Sequence, residues 1–356
     1  MGKKKSPLKT LFKERVYFLF EVLIIFLGLF IFMLIPVYLV PVLIEPSSVL
    51  FEPIYYIVRA VSAIIAIIIF LYLSNFIMES QKRKVILNED IVPAQNFINL
   101  FRISKKNVKY QFLYGILILF LIFIPLDFFT YLFLPDMISY SAIALDPSAE
   151  FSLNSYLLED YFIFLISVII VQVFVAVYEE ALTRGFLTNR GSDYMNKMSA
   201  VIISSFFFGL GHYRYIFTRT TIGFPALYPF IWFIQTFLVG IVLSMIVLKK
   251  HWIFPVIFAH GFNNIISAHA IWNYLKANDF ILMTLTVYIP LLVISVILLV
   301  WQFSRIKESI TSGFKEFKLY FKNDENIGEE TLEKFVRIMY DFLFGFIIFL
   351  VGVIII

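Results

Sequence analysis

The sequence predicts an all-helical, polytopic integral membrane protein, a bundle of about eight to nine transmembrane helices enclosing an intramembrane cavity. Three observations carry this. Hydrophobic residues make up 61% of the chain and charged residues only 15%, where soluble domains run nearer to about half and a quarter. Apolar stretches repeatedly reach about 20 residues, the length that crosses roughly 30 Å of hydrocarbon. Basic residues gather in every second connecting segment, as they do in cytoplasmic loops.

The spans fall at 16–44, 54–78, 111–135, 161–188, 198–212, 225–248, 252–272, 279–303 and 340–356. Pro36 and Pro41 are expected to bend or break the first. The fifth is the shortest. Residues 1–15 form a basic N-terminus, 16–303 a single transmembrane domain whose core is 160–270, 304–339 a cytoplasmic amphipathic segment, and 340–356 a C-terminal transmembrane helix. The first span is too long for the apolar core of a signal peptide and is read as a retained anchor. Segment 79–110 contains Lys82-Arg83-Lys84 and Lys105-Lys106, and segment 304–339 alternates charge with Phe314, Phe317, Tyr320 and Phe321. They suit helices resting on anionic headgroups, or ordinary connecting helices with solvated faces. There is no internal repeat.

With the N-terminus in the cytoplasm, the segments on that side hold 24 Lys and Arg, against Arg214, Arg219 and Lys276 on the other. The loop 136–160 has no basic residue and five acidic ones. This bias predicts a multi-pass protein of the cell membrane with its N-terminus inside. The net charge of +4 sits in loops beside spans, so the bilayer and not nucleic acid is the expected partner. With no cysteine, disulfides, thiol nucleophiles and Cys-ligated zinc are excluded.

Against this apolar background a few polar residues stand out. Glu179, Glu180 and Arg184 end one apolar run, His212 follows Phe208 by four residues, and His260 precedes Asn264 by four. An ionisable group at mid-membrane costs roughly 2.5–3.5 kcal/mol on insertion scales, which marks it as functional. Counting the helical rise from the cytoplasmic edge puts Glu179 and His260 about 15 Å deep and His212 and Asn264 about 21 Å deep. Three helices thus carry polar groups at similar depth. Glu179 and Glu180 are about 100° apart on a helix and are not expected to face one point. Glu180 and Arg184, four apart with the acid first, form the favoured ion pair, which leaves Glu179 to face the cavity.

The residue types suit hydrolysis. Glu179 can take a proton from water that His212 orients or shares. His260 and the Asn264 amide can donate hydrogen bonds to the oxyanion formed on an attacked amide. Phe208 packs beneath His212, and Glu180 and Arg184 stand behind the site. No cofactor is expected. Were a metal bound, Glu179, His212 and His260 would be its ligands, a three-ligand zinc site with an open position. Arg59, mid-span in the second helix, wants a carboxylate or a lipid phosphate, with Glu21 and Asp127 as candidate partners. Ser267 and Tyr178 are candidate cavity residues. His251 and His269 read as interfacial.

At these residues the sequence resembles the CPBP family of intramembrane proteases, which includes type II CAAX prenyl endopeptidases and bacterial bacteriocin-processing or immunity proteins. The motifs are Glu179-Glu180-Ala-Leu-Thr-Arg184, Phe208-Gly-Leu-Gly-His212 and His260-Gly-Phe-Asn-Asn264. Gly185-Phe186-Leu187 continues the first. The resemblance covers about 160–270. It implies a helical bundle with a conical cavity open to the cytosol, water activation by Glu179 and His212, and oxyanion binding by His260 and Asn264. It implies as partner a membrane peptide or a lipidated protein. Two other functions remain as alternatives, a non-catalytic binding or immunity protein of the same family and a proton-coupled transporter. The lack of an internal repeat speaks against the transporter.

Overall fold

A computed structural model of the chain describes residues 7–80, 92–149, 152–217, 223–323 and 328–355. The basic residues Lys82, Arg83 and Lys84, and Arg219 and Glu150, lie outside the described residues. The described chain is helical, with no strand. Its main helices are α1 (Pro7–Leu43), α2 (Phe51–Ser80), α3 (Pro93–Leu100), α4 (Val108–Phe133), α5 (Asp136–Leu145), α6 (Tyr161–Tyr194), α7 (Lys197–Tyr213), α8 (Leu227–Lys250), α9 (Phe254–Leu275), α10 (Phe280–Trp301), α11 (Phe303–Tyr320) and α12 (Thr331–Ile355).

Every expected span is a helix. Seven of them, α1, α2, α4, α6, α8, α10 and α12, are long and apolar enough to cross a membrane. The other two, α7 and α9, carry the histidine motifs and pack inside the bundle. α7 lies against α8 and α12, and α9 against α6 and α4. An inner helix can carry more small and polar residues because its neighbours shield it from lipid. Leu27, Phe76, Phe162, Val300 and Ile354, on the outer helices, are exposed, as suits lipid contact.

Several boundaries differ from the sequence reading. α1 starts at Pro7 within the basic N-terminus and runs unbroken through Pro36 and Pro41. A proline removes one hydrogen bond and crowds one carbonyl, and the continuous apolar length of α1 holds the helix across both. α12 starts at Thr331, nine residues before the expected 340, so part of 304–339 belongs to it. Of 79–110, the described part contains the short α3, whose Ala94, Phe97 and Leu100 are buried. Phe97 reaches the chain at Gly185, where an added Cβ would lie 2.8 Å from its ring. α3 therefore packs on the bundle. α11 is the amphipathic helix expected after 303, and its Phe317 and Tyr320 turn inward while Ile310 and Phe314 stay exposed.

Helix ends follow local rules. Asn196 caps α7 by accepting from the Met198 N–H at 2.9 Å, and Asp279 caps α10 by accepting from Ile281 at 3.0 Å. Such caps satisfy backbone donors that have no helical partner. Glu52 at the start of α2 accepts from the Ser155 N–H and hydroxyl and the Tyr156 N–H, at 2.7, 2.8 and 3.0 Å. That fastens the 155–158 turn over one end of the bundle.

The two ends of the chain are joined inside the protein. Arg15 of α1 donates to Asp341 of α12 at 2.9 and 2.6 Å, and the Tyr320 hydroxyl donates to the same carboxylate at 2.8 Å. Asp341 is fully buried. Removing one partner leaves a buried charge uncompensated, at a cost of about 3–5 kcal/mol. Asp341→Ala is therefore expected to lower the thermal midpoint in detergent sharply, and Arg15→Leu in the same chain to recover part of the loss. An unchanged midpoint for Asp341→Ala would show that α12 is not anchored through this carboxylate.

Candidate active site

The three motifs meet in the middle of the bundle. α6 runs as α-helix to Glu180 and widens into a π-helical stretch over Ala181–Thr188. α4 has a similar stretch over Leu119–Phe123. Such widened turns are rare and recur at functional sites. Here both border the motif residues. The second places Phe123 parallel to the His260 ring, 6.1 Å away.

Glu180 is the centre of the polar contacts. Its Oε1 accepts from Arg184 Nη1 at 3.0 Å and lies 2.8 Å from His260 Nδ1. Glu180 and Arg184 are both fully buried, so the expected ion pair forms. The contact to His260 was not legible in the sequence, because it joins residues 80 positions apart. Glu179 reaches the same ring from its other side, with Oε2 3.6 Å from Nε2. The two glutamates thus converge on one imidazole despite pointing in different directions along their helix. His260 lies between them and offers a nitrogen to each.

Arg184 is held from other directions as well. It donates to the Thr183 hydroxyl at 2.7 Å, and its guanidinium lies 4.3 Å from the centre of the Phe208 ring. The Phe208 ring meets His212 at 4.9 Å and His260 at 5.9 Å, edge to face in both cases. Phe208 packs beneath His212 as expected, and also against His260 and Arg184. Ser204 donates to the Thr183 carbonyl at 2.7 Å, fastening α7 to α6 next to the site.

The hydrogen bonds settle which nitrogens carry protons. His212 Nδ1 lies 3.1 Å from the Phe208 carbonyl. A carbonyl only accepts, so Nδ1 is the donor and a neutral ring keeps Nε2 as an acceptor. His260 Nδ1 faces a carboxylate and is likewise the donor. His260 then offers a second proton at Nε2 only as an imidazolium. In both rings Nδ1 is thus the engaged donor and Nε2 is left for other partners.

A cavity of about 550 Å³ opens from these groups. Glu179, Phe208, His212, His260 and Asn264 line it, and so do Tyr178 and Ser267. Glu180 and Arg184 lie behind its wall. His212 interacts electrostatically with Glu179 and His260. Residues not singled out in the sequence complete the wall, among them Phe123, Gln172, Tyr215, Trp232 and Asn263. Phe123, Trp232 and Tyr215 come from α4, α8 and the turn after α7, which no spacing along α6 or α9 could have marked, whereas Gln172 and Asn263 share α6 and α9 with the motifs. Burial pushes the Tyr215 hydroxyl above its ordinary value, so it stays a proton donor at the cavity edge.

The other polar expectations resolve as follows. Asp127 lines the cavity and accepts a hydrogen bond from Ser267. Glu21 is buried with Arg190, at 3.0 Å, and with Ser74, at 2.7 Å. Neither pairs with Arg59, whose guanidinium instead lies over Tyr178 and Tyr56. Those acids already have partners on nearer helices. His269 packs among Tyr161, Phe164 and Trp272, and His251 closes α8 with a left-handed backbone.

Among the described residues, no three His, Asp or Glu side chains converge as metal ligands do. Glu180 and the Phe208 carbonyl engage Nδ1 of His260 and His212, and Nε2 of each ring takes no part in those contacts.

The cavity also has a direction. Beyond the motif residues its wall is built by Tyr56, Met137, Leu153, Asn154, Arg214 and Tyr215. These belong to the side of the bundle that carries the 136–160 and 213–224 loops. The opposite segments, near Arg102, Lys197 and Lys250, do not contribute to it. The expected inside N-terminus and the expected cytosolic opening are therefore incompatible, because the basic residues and the cavity lie at opposite ends.

Fold and site together define a polytopic helical membrane protein with an acid–histidine constellation enclosed at mid-bundle. Residues 161–266, which hold all three motifs, match the family model for type II CAAX prenyl endopeptidase Rce1-like proteins. The match agrees with the resemblance that the motifs carry. No curated protein and no solved structure matches the chain.

The buried carboxylate predicts how the site responds to truncation. Arg184→Ala leaves Glu180 without its cation and is expected to destabilise the protein by about 3–5 kcal/mol. Glu180→Gln removes the charge but keeps an oxygen acceptor, and is expected to cost less. Thermal unfolding of both variants in one detergent tests this order, and a reversed order would remove Glu180 from the centre of the network.

Proposed function

We propose that the protein is an intramembrane endopeptidase that hydrolyses a peptide bond of a membrane-associated or lipidated peptide, using water activated by Glu179. The observation that carries this is the asymmetry of the two glutamates. Glu180 is buried and engaged by Arg184 and His260, whereas the Glu179 side chain is 29% exposed and borders the cavity. The Rce1-like match over 161–266 supports the class of reaction.

The proposed steps use only groups at the cavity. Glu179 takes a proton from a water whose other hydrogen is held by His212 Nε2. The hydroxide formed attacks the peptide carbonyl. The developing oxyanion accepts from His260 Nε2–H and from the Asn264 amide, donors of a kind often worth about 3–4 kcal/mol. Glu180, facing His260 Nδ1, holds that ring in place. The tetrahedral intermediate collapses as Glu179 returns its proton to the leaving nitrogen. A non-catalytic binding protein would need the cavity but not a cavity-facing carboxylate beside two histidines.

General-base catalysis contributes about 10²–10⁴-fold. Glu179→Gln is therefore expected to lose at least that factor in cleavage of membrane peptides by purified protein, with its thermal midpoint unchanged. Near-normal turnover would remove Glu179 from this role.

The charge bias and the cavity's direction together imply access from the non-cytoplasmic face. A prenylated protein in the cytosol would then be a poor substrate, and a peptide in or beyond the outer leaflet a good one. The chain has no cysteine, so single cysteines report cleanly. Gln235→Cys lines the cavity, Ser148→Cys marks the 136–160 loop, and Lys105→Cys marks the opposite side. Gln235→Cys and Ser148→Cys are expected to react with an impermeant thiol reagent added outside intact cells, and Lys105→Cys only after lysis. Labelling of Ser148→Cys from the cytoplasm alone would reverse the orientation. Labelling of Gln235→Cys together with Lys105→Cys would reverse the cavity.

A further inference from the structure

Four buried arginines of this protein each have a buried carboxylate. Arg15 has Asp341, Arg184 has Glu180, Arg190 has Glu21 and Arg337 has Glu329. Arg59 departs from the pattern. Among the described residues no ion pair joins it to an acid. The acids nearest in position are already engaged, Glu52 by Ser155 and Tyr156, Asp127 by Ser267, and Glu179 beside His260.

Arg59 is held by aromatic faces instead. Its guanidinium lies 4.7 Å from the centre of the Tyr178 ring and 5.8 Å from that of Tyr56. It borders the cavity, and it is partly exposed. Tyr178 directly precedes Glu179, and Tyr215 interacts electrostatically with both Arg59 and Glu179. Arg59 is eight residues into α2, about 12 Å from the loop-side end of that helix. The guanidinium therefore stands between Glu179 and the loop-side end of the cavity. Arg59 also shares a side-chain hydrogen bond with Tyr178, and a guanidinium has five N–H donors, so it keeps others that can meet a carboxylate. An unpaired cation at this depth is costly and is explained by a ligand that completes it.

We infer that Arg59 is a substrate-binding residue that holds a carboxylate of the bound peptide, its free C-terminus or an acidic side chain, on the loop side of the scissile bond. This rests on reading the cavity as a peptide site. It adds a specificity determinant from α2, outside the segment with the family match. It gives the peptide a direction, with the carboxylate-bearing end toward the loops and the cleaved bond at Glu179.

The test uses binding, so it does not depend on turnover. A fluorophore-labelled pentapeptide of leucine and phenylalanine is prepared as the free acid, as the C-terminal amide, and as the amide with one glutamate near its end. Each is titrated by anisotropy into the full-length Glu179→Gln protein in detergent, with and without Arg59→Gln or Arg59→Lys. The free acid is expected to bind at least tenfold tighter than the plain amide. The difference is expected to vanish in Arg59→Gln and to return in part in Arg59→Lys. Tight binding of the glutamate-bearing amide, matching the acid, would assign the site to any carboxylate, and weak binding to the C-terminus alone. Equal binding of acid and plain amide to the protein that retains Arg59 would overturn the inference without any Arg59 variant having to fold. So would a preference that survives Arg59→Gln. If dodecyl phosphate displaces nothing but binds only when Arg59 is present, while acid and amide bind equally, Arg59 is a lipid-phosphate site and the inference falls. Should wild-type protein cleave no peptide yet keep the acid preference, the hydrolytic reading fails and this one stands.

Discussion

The carboxylate of Glu180 lies at the point where three helices have to agree. It accepts from Arg184 one turn further along α6 and faces His260 of α9. Arg184 in turn lies on Phe208 of α7, which packs against both histidines. A buried charge tolerates little displacement, because each lost partner leaves it uncompensated in a medium that cannot solvate it. The position of His260 relative to Glu179 therefore follows from an interaction in which Glu179 takes no part. This frees Glu179 to remain at the cavity surface with few constraints of its own.

The same logic is used elsewhere in the protein for assembly. Arg15 with Asp341 joins the first helix to the last, Arg190 with Glu21 joins α6 to α1, and Arg337 with Glu329 folds the start of α12 onto its preceding loop. In a bilayer, apolar side chains gain little by leaving lipid for protein, so packing and polar contacts specify which helices meet. Close approach does the rest. A Cβ at Gly28 would stand 2.4 Å from the Phe70 ring, so α1 and α2 can pack at this distance only with glycine there. Arg59 lies outside this scheme, and it borders the cavity, as Arg214 does.

Much of the site was readable in advance because its residues are expensive where they stand. Glutamates and histidines inside apolar runs announce themselves, and the spacing of four in each motif places pairs on one helical face. The Glu180–Arg184 pair is local and formed as its spacing required. The contact of Glu180 with His260 is not local, and neither is the stacking of Phe123 on that ring. Glu180 immediately precedes the widened stretch of α6 and Phe123 lies in that of α4, and nothing in the composition of those turns distinguishes them from ordinary helix. The expectation that two adjacent glutamates diverge was sound for their directions but ignored that an imidazole has two nitrogens to meet them.

The sequence by itself determined the class of fold, the approximate place of the apolar helices, and the identity of the motif residues. It could do so because hydrophobic length, charge bias and helical periodicity are properties of short segments. Only the tertiary structure decided which helices are central, which end of the bundle holds the cavity, and which acids are already taken. α7 and α9 look like weak spans in isolation, and they are weak because their neighbours shield them from lipid. The direction of the cavity and the partners of Arg59 and Asp127 arise from side chains that no local pattern connects. Their proximity is created by packing, and packing depends on all the helices at once.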